Sequence, residues 1–278
     1  MSPPRLTDRH ALARHRARAA ARPEALYLHR LAADEIEERL ATVNRRFTRP
    51  AVVTPFPALW AGRLGDARIV PEAEVLDLAP GAHDLVIHAL ALHWADDPVG
   101  QVVQCRRALV PDGLFLGITF GGRTLAPLRA ALAAAEAEVS GGLSPRVLPM
   151  ADIRELGAVL QRAGLALPVA DAFVQEVRHA DLAALMRDLR AMGEGNALAD
   201  RHRRIPPRAL FARAAALLAG MEGAGGGDCV ITPFEFVVLT GWAPHESQQK
   251  PLRPGSAAAR LADALGSTEE TLPDRAQP

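Results

Sequence analysis

The chain has 278 residues, 49% of them apolar, enough for one large core or a core with a small lobe. Its 32 basic and 32 acidic residues cancel, which argues against a dedicated nucleic-acid binder, whose footprint is basic. Only two cysteines occur, Cys105 and Cys229, far apart and outside any C-x-x-C pattern, which excludes a disulfide scaffold and a cysteine zinc site, and no apolar run approaches the ~20 residues that span a bilayer.

These features point to a soluble globular chain in a reducing compartment. Lys250 is the only lysine, so arginine supplies nearly all the basic charge, and alanine is abundant. That is the codon bias of a GC-rich bacterial genome, and no single arginine is therefore taken as an anion ligand. A cytoplasmic location follows as the expectation.

In chain order, residues 1–49 form an Arg-rich start. Its spacing predicts helices over 7–21 and 24–43, with Pro23 at the break between them. Such a start reads either as a transit peptide or as a helical cover on the following domain, and the cover is the reading taken. Residues 50–54, 67–70, 75–78, 84–90 and 114–120 read as strands. Residues 57–64 read as a short helix and 97–109 as a longer one, with Asp96 or Asp97 as its cap and Pro98 in its first turn. Pro111-Asp112-Gly113 reads as a turn. This alternation predicts a parallel sheet with crossover helices.

Further on, 125–139, 150–163, 181–192 and 206–221 read as helices, and 165–177 as extended. Residues 229–242 read as a long final strand running antiparallel. The glycine run 223–227 follows a helix and precedes a strand. A phosphate loop needs the reverse order, so the run reads as a connector. Residues 258–278 are expected to be a disordered tail. The nine histidines include no H-E-x-x-H pair, no metal site is assigned, and no G-x-S-x-G elbow occurs.

The most informative stretch runs from Ala82 to Gly122. It reads A-H-D-L-V-I-H-A-L-A-L-H-W, then a helix, then L-V-P-D-G-L-F-L-G-I-T-F-G-G. With Asp84, Trp94, Leu109, Pro111, Gly113 and Phe115 in matching places, it resembles the class I S-adenosylmethionine-dependent methyltransferase superfamily. His93-Trp94, Phe120-Gly121-Gly122, Gly142-Leu143-Ser144-Pro145, Met192-Gly193-Glu194-x-Asn196 and Gly241-Trp242-x-x-His245-Glu246-Ser247-Gln248 sharpen this. They resemble one branch, that of the respiratory complex I assembly factor and protein-arginine hydroxylase, near the biotin-synthesis malonyl-carrier-protein methyltransferases. The resemblance implies an α/β, Rossmann-like sheet of seven or fewer strands over 50–257, with added helices.

It also implies S-adenosylmethionine as cofactor. Thr54 at the end of the first strand, Glu72 or Glu74 after the second, Asp77, His93 and Trp94 are the candidate cofactor residues. Glu72 and Glu74 are equally readable as surface charges, and Trp94 as packing. Gly121, Gly122, Glu194, Asn196, Trp242, His245, Glu246 and Gln248 are the candidate substrate-side residues.

One departure stands out. Where the family carries a D/E-x-G-x-G-x-G loop, this chain has Thr54-Pro55-Phe56-Pro57, with no glycine until Gly62. Glycines there let backbone approach the cofactor, whereas prolines remove N–H donors. Only about thirty residues separate Pro50 from the Asp84 strand, roughly one βαβ unit. The N-terminal half of the sheet is thus expected to be abbreviated.

Three functions remain open at this point. The resemblance implies an assembly or modification factor acting on a complex I subunit, reaching the membrane through its partner. The alternatives are a small-molecule or carrier-protein methyltransferase and a non-catalytic binding protein on the same fold. No 2-His-1-carboxylate spacing is present, and no residue is assigned a catalytic role.

Overall fold

The computed structural model describes residues 5–221, 229–249 and Gly266. The chain divides into two units at Pro244. In the first, helices α1 (Arg9–Ala20) and α2 (Tyr27–Thr42) lead into strand β1 (Pro50–Thr54), the one-turn α3 (Pro57–Trp60), β2 (Arg68–Pro71) and β3 (His83–Ala89). Then come α4 (Pro98–Ala108), β4 (Leu109–Phe120), α5 (Ala126–Ser140), α6 (Ile153–Arg162), β5 (Ala166–His179), α7 (Leu182–Ala191), α8 (Arg208–Ala219) and β6 (Val230–Trp242).

The strands form a mixed six-stranded sheet in the order β2-β1-β3-β4-β6-β5. β1 to β4 run parallel, and β6 pairs antiparallel with both β4 and β5. Side chains alternate between two faces. Val52, Leu85, Ile87, Leu116, Ile118 and Phe236 pack beneath α2, α5, α7 and α8. Ala51, Val53, Val86, Phe115 and Val237 pack beneath α4 and α6. β3 is buried on both faces along its whole length, around the apolar run Leu85–Ile87.

The short N-terminal half has a local cause. The strand expected over 75–78 does not form, and Val75 is 80% exposed. Two glutamines one turn apart on α4 hold the segment instead. Gln101 Nε2 donates to Ala73 O and Glu74 O, Gln104 Nε2 donates to Glu74 O, and Gln104 Oε1 accepts from Leu76 N–H. Within 75–78, Leu76 N–H thus goes to a side chain and Leu78 N–H to Leu76 O, not to a neighbouring strand. The Pro111–Gly113 turn survives inside β4 as a bulge. The register steps from His83↔Leu109 to Leu85↔Leu114, and Asp112 takes φ +61.

Asp84 fixes the entry to the sheet. Its carboxylate accepts Thr48 N–H and O–H and Arg49 N–H, at 2.7 to 2.9 Å. The glycine run 223–227 and nearly all of the expected tail lie outside the described residues. None of the described helices is long and apolar enough to cross a membrane.

Candidate functional site

The parallel strands end on a common rim. At the end of β3, Leu90 takes φ +44 while its N–H bonds Ile118 O. A leucine in the left-handed region is strained and persists because its surroundings hold it. The turn carries the chain off the sheet into the single turn Leu92–Trp94, which presents His93 and Trp94 above the ends of β3 and β4. The start of the chain clamps this turn. Thr7 O–H donates to Trp94 O, and Asp96 Oδ1 accepts Leu6 and Thr7 N–H.

His93 and Trp94 converge on Glu194, in the bend after α7. The Trp94 indole N–H donates to Glu194 Oε2 at 2.7 Å, and His93 Nε2 lies 3.2 Å from the same oxygen. A carboxylate only accepts, so His93 Nε2 carries the proton and Nδ1 faces Thr119 Oγ1 at 3.3 Å. The Glu194 side chain is 6% exposed. Burial pushes its carboxyl up, but the charge and hydrogen bond of His93 and the charge of Arg16 outweigh this and hold it at about 2. Among the described residues, Glu194 Oε1 has no hydrogen-bond partner and stands 3.9 Å from the equally unpartnered His29 Nε2. Burial drives the His29 imidazole down to about 3, so it is neutral at physiological pH.

Glu194 also lines a cavity of about 580 Å³. Leu125, Leu128, Leu132, Phe120, Phe211 and Phe234 supply apolar wall, and Asn196 and Trp94 supply polar groups. Glu194 is the one carboxylate in the lining, against five arginines. Arg146 is paired with Glu136 and Arg201 with Asp8. Arg18, Arg190 and Arg208 are exposed and make no ion pair among the described residues, so the mouth is basic.

No family model matches the chain. It is 38% identical over 185 residues to the mitochondrial arginine-hydroxylase NDUFAF5 of Dictyostelium discoideum, covering 66% of this chain and 42% of that protein. With the Homo sapiens NDUFAF5 it is 33% identical over 205 residues, covering 74% and 59%. With the malonyl-[acyl-carrier protein] O-methyltransferase of Xylella fastidiosa it is 33% identical over 178 residues, covering 64% and 58%. The chain thus spans about two fifths to three fifths of the length of these relatives. A Bacillus halodurans protein assigned as a methyltransferase superposes with a TM-score of 0.50 over 76% of this chain and 98% of its own, at 11% identity. The chain has the class I S-adenosylmethionine-dependent methyltransferase fold.

In a class I fold the cofactor place lies at the carboxyl ends of β1 and β2. Here Thr54 is buried, and its Oγ1 accepts Phe56 N–H at 3.2 Å. The Phe56 ring is 3% exposed and meets the His29 ring edge-on at 4.6 Å. Glu72 N–H bonds Thr54 O, which sets Glu72 beside β1, and its carboxylate is paired with buried Arg16 of α1. Gly193, at φ +89, closes the remaining gap. A Cβ built there would stand 3.2 Å from Ala19 Cβ and 3.4 Å from the Phe56 ring. The residues present do not fit S-adenosylmethionine, because the acid suited to its ribose is taken by Arg16 and the space is filled by Phe56 and His29.

The other sequence candidates fall as follows. Asp77 is exposed and paired with Arg68, and Glu74 is also exposed, held near Arg9. Gly121 and Gly122 turn the chain from β4 toward α5. A Cβ on Gly121 would collide with Glu235. Asn196 lines the cavity, its Nδ2 donating to Pro145 O. Trp242 pairs with Leu114, just after the bulge in β4, beneath the Arg45 guanidinium. It stands at the opposite end of the sheet from Glu194. His245, Glu246 and Gln248 lie in a separate turn, where His245 Nδ1 meets Ser247 Oγ at 2.7 Å and Gln248 Oε1 accepts His245 N–H. The structure therefore brings His93, Trp94, Glu194 and Asn196 together.

Sequence reasoning missed Arg16 and His29. A signal was present. Leu12, Arg16 and Ala19 share one buried stripe of α1, as His29, Ala33 and Ile36 do on α2. A charged or titratable residue on an apolar stripe marks a buried partner.

Proposed function

We propose that the chain is an assembly or modification factor that takes an arginine-bearing segment of a respiratory complex I (NADH dehydrogenase) subunit into the Glu194 cavity. The observation that carries this is a lone ionised carboxylate in an apolar cavity with a basic mouth. A guanidinium offers paired donors matched to a carboxylate, and its aliphatic stem suits apolar walls. The exposed arginines at the mouth favour acidic residues flanking the inserted side chain. The similarity to proteins named arginine-hydroxylase supports the same reading. The chain would act from the cytoplasmic face and meet the membrane through its partner.

The test is capture of purified peripheral complex I subunits by the full chain and by Glu194→Gln, with mass spectrometry of captured arginines. The expected result is capture that Glu194→Gln loses, with the captured arginine mapped by mass spectrometry. Equal capture by Glu194→Gln, or no capture by the native chain, sinks the proposal.

Methyl transfer to a malonyl-carrier protein is the second reading, favoured by the basic mouth, which suits an acidic carrier. It requires S-adenosylmethionine where Arg16, His29 and Phe56 stand. Formation of a methyl ester on malonyl-carrier protein in the presence of S-adenosylmethionine would establish it over the first.

A further inference from the structure

α1 has two faces with different tasks. Arg16 and Ala19 point at the carboxyl ends of β1 and β2, where Arg16 pairs with Glu72 and Ala19 abuts Gly193. His15 and Arg18 line the cavity, and His15 Nδ1 reaches Gly195 O at 3.2 Å. The helix is the partition between the two spaces. The Arg16 side chain is only 6% exposed, and its Nε and Nη2 have no hydrogen-bond partner among the described residues. Such a group is costly to bury and is held by charge, from Glu72 on one side and Glu194 on the other.

We infer that α1 is a built-in plug: Arg16 paired with Glu72 occupies the cofactor's place in this fold, and the same closed helix completes the wall of the Glu194 cavity. The sulfonium of S-adenosylmethionine and the Arg16 guanidinium are both cations, and at a few ångströms in a poorly solvated site they repel. Cofactor entry therefore requires α1 to leave and the Phe56 and His29 rings to shift as well, and the departure of α1 opens the cavity. The two spaces are linked reciprocally. A ligand that needs the closed cavity weakens cofactor binding by the same factor as the cofactor weakens it.

The experiment is a titration of the full chain with S-adenosylmethionine up to millimolar concentration. It is followed by calorimetry and by amide hydrogen exchange of residues 9–20. No binding, with the α1 amides protected, is the expected result, and binding accompanied by faster α1 exchange equally supports a displaceable plug. Binding with α1 protection unchanged overturns the inference, as does an α1 that exchanges freely without ligand. In Arg16→Ala the α1 amides should exchange at least about tenfold faster, and an unchanged rate removes Arg16 from the role. Should that variant fail to fold, the doubly neutral Arg16→Met with Glu72→Gln carries the same readout against Glu72→Gln alone.

Discussion

The Trp94 indole N–H donates to Glu194 Oε2 at 2.7 Å across 100 positions of sequence. That bond ties the turn after β3 to the bend after α7, and His93 doubles it on the same oxygen. Glu194→Ala strands two buried donors and the Arg16 charge together, and should cost about 3–5 kcal/mol in urea unfolding. Glu194→Gln keeps an acceptor for Trp94 and should cost roughly half as much. Equal losses in the two variants would remove the carboxylate's charge from the account.

Gly193 separates backbone cost from packing cost. Alanine at this position meets both a positive φ and the Ala19 and Phe56 side chains. Alanine at Gly141, at φ +68 in open space, meets only the backbone cost of about 1–2 kcal/mol. Gly193→Ala should therefore lower the melting temperature clearly more than Gly141→Ala. A parallel drop in the two would mean that α1 yields without resistance.

Much of the sheet is legible in the sequence because its central strands are rich in buried apolar residues and the helix between two of them opens on a strong cap. β3 and the Asp97 cap of α4 fall where periodicity and the D-P dipeptide place them. The strand expected over 75–78 is not recoverable that way. Its apolar pattern is real, but Gln104 takes Leu76 N–H and Leu78 N–H turns back to Leu76 O, while Gln101 holds the preceding residues 73 and 74. Of the site, His93, Trp94, Glu194 and Asn196 are legible through short motifs spread along the chain. Arg16 and His29 are harder to read: their place on apolar stripes signals a buried partner, but that partner lies far away in sequence.

Stability should fall on mild acidification. Burial lowers His29 to about 3 and His88 to about 4, against 6.5 when unfolded. Below pH 6.5 the unfolded chain takes up protons that the folded chain refuses, so stability is lost as pH drops from 6.5 toward 4. By pH 5 the loss is up to about 2 kcal/mol for each histidine. Glu194 and Glu136, held at about 2, add to it only below the ordinary carboxylate range. Urea unfolding between pH 7 and 5 should show this slope, and His88→Asn should flatten it by about 1.4 kcal/mol per pH unit. An unaltered slope would place the proton uptake elsewhere.

The glutamine clamp on residues 73–76 is separable from the core. Gln101→Leu keeps helix propensity but leaves Ala73 O and Glu74 O without these donors and His88 Nε2 without its acceptor. A loss of about 1–3 kcal/mol is expected, with faster proteolysis confined to 72–78. Cleavage appearing across the sheet instead would show that the segment is not a local unit.

The bridge from Thr7 to Leu198, the bond from Asp8 N–H to Ala197 O and the His15–Gly195 contact all join the first helix to residues near 200. A ribosome releases the chain from its amino end at about 5–20 residues per second, so the first helix emerges many seconds before its docking surface exists. Until then its Arg16, Leu12 and Ala19 face solvent on a segment too short to hold helix alone. The helix is thus held by residues synthesised well after it, and ribosome-bound chains stalled before residue 200 should show residues 9–20 open to protease.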